Sequence, residues 1–206
     1  EFRKSKLTDF FKDISEWDGR KIKNKSIVVY NEQGLGDSIQ FSKYLIPLSK
    51  ISKKVTFVVQ NNIKNLFRNF KNINIETYEM CKNQIFDYKI SLGSLIKYFY
   101  EEKINFNETL IEIKPTKNLD LENKIDSSKK NIGLVWSGSF LGPNEPYRSI
   151  PLINFRKILT LNANFYALQN EIWERDLEEF HSSKLIKCGD YKLDELSSLI
   201  SKLDLV

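Results

Sequence analysis

Asp37 is the residue of this chain best placed to do chemistry. It ends the turn Asn31-Glu32-Gln33-Gly34-Leu35-Gly36-Asp37, which directly follows the apolar run 27–30 and precedes an amphipathic helix. Open α/β sheets bind ligands where a strand opens into a helix. Gly34 and Gly36 are able to take positive φ and leave room for another molecule near the backbone. A carboxylate at this point is suited to accept a proton from a substrate hydroxyl.

Two other interpretations of the same turn compete with a catalytic one. The first is a dinucleotide-binding loop, but its third small residue is replaced by Ile39. A carboxylate at a helix N-terminus also repels a phosphate, which disfavours a pyrophosphate cradle. The second is that Asp37 only caps the helix, because Asp is a favoured N-cap. Glu32 lies on the same loop and is the rival candidate for a general base.

Composition excludes several classes of protein. The chain has 206 residues, of which 41% are hydrophobic and 29% charged, values typical of a soluble globular protein. No apolar run approaches a membrane span, and two distant cysteines predict a reducing, cytoplasmic setting without a disulfide framework. The net charge of +5 is spread along the chain, so we expect no nucleic-acid partner.

The remaining titratable residues favour ordinary surface roles. His181 is the single histidine and lies in a charged region, so we expect it at the surface and expect no zinc site. The acidic run Glu174, Asp176, Glu178 and Glu179 is interpreted as the solvated face of a helix.

Strand and helix patterns alternate along the chain, which predicts parallel sheets flanked by helices. A helical lead-in is predicted at 1–18. For the first unit we predict strands at 27–30, 55–59, 73–78 and 86–91, and helices at 38–49, 63–70 and 95–100. For the second we predict strands at 131–136, 165–168 and 185–188, and helices at 152–161, 172–180 and 193–201. A further strand begins at 203–206.

These patterns divide the chain into two α/β domains. We predict a first α/β domain over 19–116, a polar linker over 117–130, and a second, incomplete α/β domain over 131–206. In the second domain, Ser137, Gly138 and Ser139 follow a buried strand, where small residues allow a diphosphate to reach backbone amides; an ordinary loop is the alternative. Gln169 and Asn170 end the next strand and are candidates for contact with a nucleotide.

Several blocks of the sequence occur in the order found in one known family. They are Trp17-x-Gly19, Glu32-Gln33-Gly34-Leu35-Gly36-Asp37, Phe86-Asp87, Ile132-Gly133-Leu134-Val135-Trp136-Ser137-Gly138, Arg148-Ser149-Ile150-Pro151-Leu152, Leu168-Gln169 and Leu203-Asp204-Leu205-Val206. Together they resemble the glycosyltransferase-like region that follows tetratricopeptide repeats in many bacterial proteins. That region is similar to heptosyltransferases and, more distantly, to protein O-linked N-acetylglucosamine transferases. The resemblance implies the GT-B architecture of two Rossmann-like domains.

The resemblance also implies a function. It implies an inverting, metal-independent transfer of a sugar from a nucleotide-activated donor to an acceptor hydroxyl, with no cofactor beyond that co-substrate. The acceptor would be a glycan, a lipid-linked glycan or a protein, bound by the first domain through Gln33, Gly34 and Gly36 with Asp37 as base. Arg148 would lie near the donor phosphates, although a surface arginine on a loop is the alternative. The family's next donor motif would lie beyond Val206, which predicts that this fragment alone is inactive. A non-catalytic binding module attached to a repeat scaffold is the competing expectation.

Overall fold

The structure is a computed structural model that describes residues 10–32, 34–101, 117–138, 147–189 and 191–206. The chain forms two compact units, Glu1–Lys114 and Pro115–Val206. Each unit is built around a parallel β-sheet, so the predicted α/β class is confirmed.

The first unit alternates strands with short helices. Its strands are β1 (Ile22–Tyr30), β2 (Ser52–Val58), β3 (Ile73–Glu76) and β4 (Tyr88–Ser91), and its α-helices are α1 (Leu35–Phe41), α2 (Leu45–Ile51), α3 (Tyr78–Cys81) and α4 (Ile96–Phe99). Turns of 3₁₀-helix span Ser42–Tyr44, Asn61–Phe67 and Gly93–Leu95. The strand order is β3-β2-β1-β4, and each neighbouring pair is parallel.

Strand β1 is the centre of this sheet. Ile27, Val28 and Val29 are completely buried, although their side chains alternate between the two faces. Burial on both faces is expected of a central parallel strand covered by helices on each side. The predicted strand at 27–30 is therefore the buried half of a longer element.

The predicted helix at 38–49 is divided into three pieces. Helix α1 begins earlier, at Leu35, and a 3₁₀ turn over Ser42–Tyr44 separates it from α2. Pro47 has no N–H to donate to the carbonyl of Lys43, so a continuous α-helix loses a hydrogen bond at this point.

The predicted helical lead-in is corrected near Trp17. The N–H of Lys89 donates to the carbonyl of Ser15 at 2.9 Å, and the N–H of Trp17 donates to the carbonyl of Lys89 at 2.9 Å. This segment therefore pairs with β4 in parallel through Glu16. The outer backbone groups of β4 need partners, and that requirement overrides the helical pattern. Residues 1–9 of the predicted lead-in lie outside the described residues.

The second unit repeats the alternation. Its strands are β5 (Lys130–Leu134), β6 (Ala163–Ala167) and β7 (Ile186–Lys187), and its α-helices are α5 (Leu119–Glu122), α6 (Arg156–Leu159), α7 (Leu177–Ser182) and α8 (Leu193–Ile200). Turns of 3₁₀-helix span Leu152–Phe155 and Glu174–Asp176. The strands are parallel in the order β5-β6-β7.

The end of the chain adds to this second sheet. Leu205 pairs in parallel with Ile132, on the side of β5 that faces away from β6. The predicted start of a strand at 203–206 is confirmed by this pairing. The second sheet consequently has the third-second-first-fourth strand order of the first sheet.

The polar stretch predicted as a linker contains a packed helix instead. Asn118 accepts a hydrogen bond from the N–H of Leu121 at 3.1 Å through its side chain, which caps α5. Leu121 is fully buried in a cluster with Tyr166 and Leu199 of the second unit. Helix α5 is only four residues long, so it is too short to show a helical period among the polar residues around it, which is why the pattern indicated a linker.

Candidate functional site

The strand order locates a ligand-binding position in the first unit. The chain leaves β1 towards β2 and later returns to β4 on the opposite side, so the topological switch point lies between the carboxyl ends of β1 and β4. The N–H of Leu92 donates to the carbonyl of Tyr30 at 2.8 Å, which joins the two strand ends. Ser91 and Ser94, which share a 2.8 Å hydrogen bond between their hydroxyls, lie on the β4 side.

Asp37 lies on the β1 side, in the first turn of α1. Its Oδ2 accepts a hydrogen bond from the N–H of Gly34 at 2.9 Å, so it occupies the third helical position and Gly34 is the N-cap. The side chain is partly exposed, and its Oδ1 accepts no hydrogen bond from the residues that the structure describes. Asp37 therefore stabilises the helix start with one oxygen and retains the acceptor capacity of the other.

The two glycines of the turn do not adopt positive φ, although glycine is able to do so. Gly34 has φ −72° and Gly36 lies within α1. Among the described glycines only Gly19 and Gly189 have positive φ. What matters at these positions is the absence of a side chain. A Cβ on Gly34 would lie 3.3 Å from Asp37 Oδ2, which is a tight contact, whereas a Cβ on Gly36 would have no neighbour within 4 Å. The surface at Gly36 is thus open to an approaching molecule.

The loop before Gly34 is held by hydrogen bonds. The hydroxyl of Tyr78 donates to the carbonyl of Asn31 at 3.0 Å, and the side-chain amide of Asn31 donates to the carbonyl of Gly34 at 3.2 Å. Burial is the main cause of the raised pKa of Tyr78, so this hydroxyl remains a donor at neutral pH. Gln33 lies outside the described residues.

Glu32 contributes to the electrostatic surroundings of Tyr30 and Glu16. Burial raises the pKa of Tyr30 to about 12, and the carboxylates of Glu16 and Glu32 add to the shift. The pKa of Glu16 is also raised, by burial first and in part by the charge of Glu32, while Lys89 opposes the shift. Glu32 is therefore grouped with Glu16 and Tyr30.

In the second unit, the side chain of Gln169 fastens the segment that follows β5. Its Oε1 accepts hydrogen bonds from the N–H groups of Trp136 and Ser137 at 2.9 and 3.2 Å. Its Nε2 donates to Ser137 Oγ at 2.7 Å and to the carbonyl of Glu171 at 2.8 Å. The structure brings the predicted donor-binding residues Ser137 and Gln169 together, with the Gln169 amide engaged in holding the segment.

The other predicted donor-binding residues differ in their surroundings. Gly138 is partly exposed, and Asn170 is exposed and donates to the carbonyl of Tyr191 at 3.0 Å. Arg148 is exposed, and it forms no ion pair or hydrogen bond with the part of the chain that the structure describes. Ser139 lies outside the described residues.

The assignment of Asp176 to a solvated helix face is wrong. Asp176 is 1% exposed; its Oδ1 accepts from the N–H of Leu152 at 2.9 Å and its Oδ2 accepts from Trp136 Nε1 at 3.2 Å. The segment is a 3₁₀ turn followed by α7, so the 3.6-residue period that placed Asp176 outside does not apply. Its partners lie 24 and 40 positions away, and no local sequence signal separates it from the neighbouring acidic residues. His181 is exposed, as predicted.

The part of the chain that the structure describes contains neither a metal-binding cluster nor a membrane-spanning helix. No group of three or more His, Cys, Asp or Glu residues in this part of the chain has the proximity needed to hold a metal ion. Nor is any helix found there with the length and apolar character that crossing a bilayer requires.

Comparison with known proteins relates the fold to glycosyltransferases. No protein-family model matches the chain, and no curated protein matches it in sequence. A glycosyl transferase family 9 structure from Veillonella parvula DSM 2008 matches with a TM-score of 0.64 at 13% identity, covering 91% of this chain and 77% of that one. The iron-containing dodecameric heptosyltransferase TibC in complex with ADP-D-β-D-heptose matches with a TM-score of 0.53 at 12% identity, covering 89% of this chain and 53% of that one. The chain therefore has the α/β fold of these enzymes and spans about half the length of TibC.

Proposed function

We propose that the protein containing this chain is a glycosyltransferase that moves a sugar from a nucleotide-activated donor to an acceptor hydroxyl. The reaction requires a base for the acceptor proton and stabilisation of the charge that develops on the leaving nucleoside diphosphate. The proposal assigns the first task to the first unit and the second task to the second unit. We further propose that the transfer inverts the sugar configuration and needs no metal.

One observation carries this proposal. Asp37 is held by the Gly34 N–H at the carboxyl end of β1, its second oxygen accepts no hydrogen bond from the described residues, and a Cβ on the adjacent Gly36 would meet nothing within 4 Å. The Asp37 carboxylate and the open surface at Gly36 lie at the topological switch point of the first sheet, and the fold of the chain is similar to that of a glycosyltransferase. In the proposed reaction, Asp37 accepts the proton of the acceptor hydroxyl as that oxygen attacks the anomeric carbon of the donor.

The second unit supplies candidates for holding the donor. The guanidinium of Arg148 is exposed and suited to pair with phosphate oxygens, which it contacts in a planar, bidentate manner. Ser137 and Gly138 follow β5 at the carboxyl edge of the second sheet, which is the edge where α/β sheets bind phosphates. Charge neutralisation there would favour departure of the diphosphate.

The experiment has two stages: the first identifies the sugar donor, and the second tests Asp37 as the general base. The full-length protein is screened by thermal shift against UDP-, GDP- and ADP-linked sugars, beginning with ADP-heptose because a TibC structure contains ADP-D-β-D-heptose. With a stabilising donor, Asp37→Asn is expected to lower kcat by about 10²–10⁴ because general-base assistance is lost. The thermal shift caused by the donor is expected to persist.

Glu195→Gln is the matched control. Glu195 accepts the N–H of Lys192 at 3.0 Å at the start of α8, which is the capping role that Asp37 has at Gly34, but it lies in the second unit. It should leave turnover unchanged. Wild-type turnover in Asp37→Asn together with a large loss in Glu32→Gln would transfer the role of base to Glu32. A donor that stabilises the protein without any turnover would favour the non-catalytic binding module.

A further inference from the structure

Trp136 joins three segments of the second unit. Its backbone N–H donates to Gln169, its carbonyl accepts from the N–H of Ile150 at 2.9 Å, and its indole N–H donates to Asp176. The residue is 3% exposed and its indole bond to Asp176 is buried, so that bond is shielded from water. The segment that carries Ser137 is therefore fastened at the residue immediately before it.

Asp176 is a buried carboxylate that binds both Trp136 and the segment after Arg148. One carboxylate oxygen holds the Leu152 N–H and the other holds the Trp136 indole, and the Nε of Arg175 lies 3.6 Å from the second oxygen. A buried carboxylate is tolerated when donors of this kind satisfy it. Replacing it with a group that cannot accept both bonds would leave a buried N–H unpaired, which is costly.

The bonds of Asp176 connect two pieces of backbone that the proposed function uses together. Arg148 forms no hydrogen bond or ion pair with the described residues. The backbone shortly after it is fixed, because the N–H of Ile150 donates to the Trp136 carbonyl and the N–H of Leu152 donates to Asp176. On the intervening residue, Ser149 Oγ accepts from Arg175 at 2.8 Å. Ser137 follows Trp136 on the other piece.

We propose that Asp176 is a positioning residue for donor binding, which it serves by fixing the backbone of Arg148 relative to the backbone of Ser137 and Gly138. This inference rests on the proposed function, because it concerns the same donor. Asp176 does not itself touch the donor. It acts through the Leu152 N–H and the Trp136 indole, and Arg175 reinforces it at Ser149.

The variant Asp176→Asn tests the inference. An amide keeps one acceptor oxygen but presents its NH₂ to the other N–H, so one of the two bonds must break. We expect the Kd of the full-length protein for its nucleoside diphosphate, measured by calorimetry with ADP, UDP and GDP in turn, to rise about tenfold or more because misplaced groups bind poorly. Amide hydrogen exchange at Ile150 and Leu152 should become faster.

A double-mutant cycle separates positioning from a general loss of structure. Arg148→Ala should weaken binding, and Asp176→Asn added to it should weaken binding little further, because both changes remove the same contribution. Asp194→Asn is the control: this aspartate is also buried in the second unit, and it accepts the N–H of Glu195 at the start of α8. Its effect on Kd should be small.

If Asp176→Asn does not fold, Trp136→Phe replaces it, since it deletes the indole N–H and retains an aromatic ring. The same non-additivity with Arg148→Ala is expected. A wild-type Kd in the variant that folds, or fully additive losses in the double variant, would overturn the role of Asp176 and leave the proposed function standing. If no nucleoside diphosphate binds the wild-type protein, the proposed function falls and this inference falls with it.

Discussion

Asp87 and Asp204 occupy equivalent positions in the two units. Asp87 accepts from Lys25 Nζ and from the N–H of Ser26, both at 2.8 Å. Asp204 accepts from Lys130 Nζ at 2.6 Å and from the N–H of Asn131 at 2.9 Å. In each unit the aspartate directly precedes the residue that pairs with the first strand, Tyr88 with Ile27 and Leu205 with Ile132.

This equivalence shows how the register of each sheet is set. A single carboxylate binds two consecutive residues of the first strand and so aligns the fourth strand against it. The pKa of Asp87 is lowered to about 2, chiefly by Lys25 and Ser26, and the pKa of Asp204 is lowered chiefly by the N–H of Asn131 and by Lys130.

The lowered pKa of Asp87 predicts a specific acid sensitivity of the first unit. Because the folded pKa lies below the unfolded value of 3.8, the stabilisation is complete above that value and is lost as the pH falls towards about 2. Asp87→Asn should lower the free energy of unfolding at neutral pH and flatten its dependence on pH between these values. Urea unfolding followed by the NMR signals of Val28 and Val29, which are completely buried in the first unit, measures this.

Asp13→Asn is the control for the acid prediction, because Asp13 is an exposed carboxylate of the same unit. A pH dependence in Asp87→Asn as steep as that of the wild-type protein would show that other carboxylates cause the acid sensitivity.

Substitutions of Leu121 and Leu119, two positions apart on α5, should have very different effects on stability. Leu121 is fully buried and Leu119 is 59% exposed. Leu121→Ala should destabilise the second unit by about 2–5 kcal/mol because it leaves a cavity, and Leu119→Ala should change stability by less than about 0.5 kcal/mol. Chemical denaturation of the two variants decides between a packed helix and a linker: equal, small effects would restore the linker.

Gly133 and Gly36 differ in the space that each leaves for a side chain, so alanine substitutions at the two positions should have different effects on stability. A Cβ on Gly133 would lie 2.5 Å from Leu168 Cδ1 and 2.7 Å from Leu203 Cδ1, while a Cβ on Gly36 would meet nothing within 4 Å. Gly133→Ala should therefore destabilise by about 1–3 kcal/mol through overpacking. Gly36→Ala should stabilise by about 0.4–1 kcal/mol, because Gly36 is an exposed helical residue without positive φ.

Thermal melting of both glycine variants provides the measurement. Stabilisation by Gly133→Ala would mean that the leucine side chains rotate away without cost. Destabilisation by Gly36→Ala would mean that the surface beside Asp37 is less open than its geometry indicates.

The alternation of apolar runs and turns was sufficient to predict two α/β units and most of their strands. The placement of Asp37 after β1 also followed from the sequence, because strand, turn and helix start are local features encoded by consecutive residues. The same local logic located Ser137 and Gly138 after β5. Their proposed chemical roles remain predictions.

Tertiary contacts decided the rest. Leu121 follows the pattern of a linker until the second core packs over it, and the segment at Ser15 and Glu16 follows a helical pattern until β4 offers it hydrogen bonds. Asp176 differs from the acidic residues around it only through Trp136 and Leu152, which are remote along the chain. Burial and hydrogen-bond pairing depend on which distant segments meet, so a pattern read along consecutive residues does not contain them.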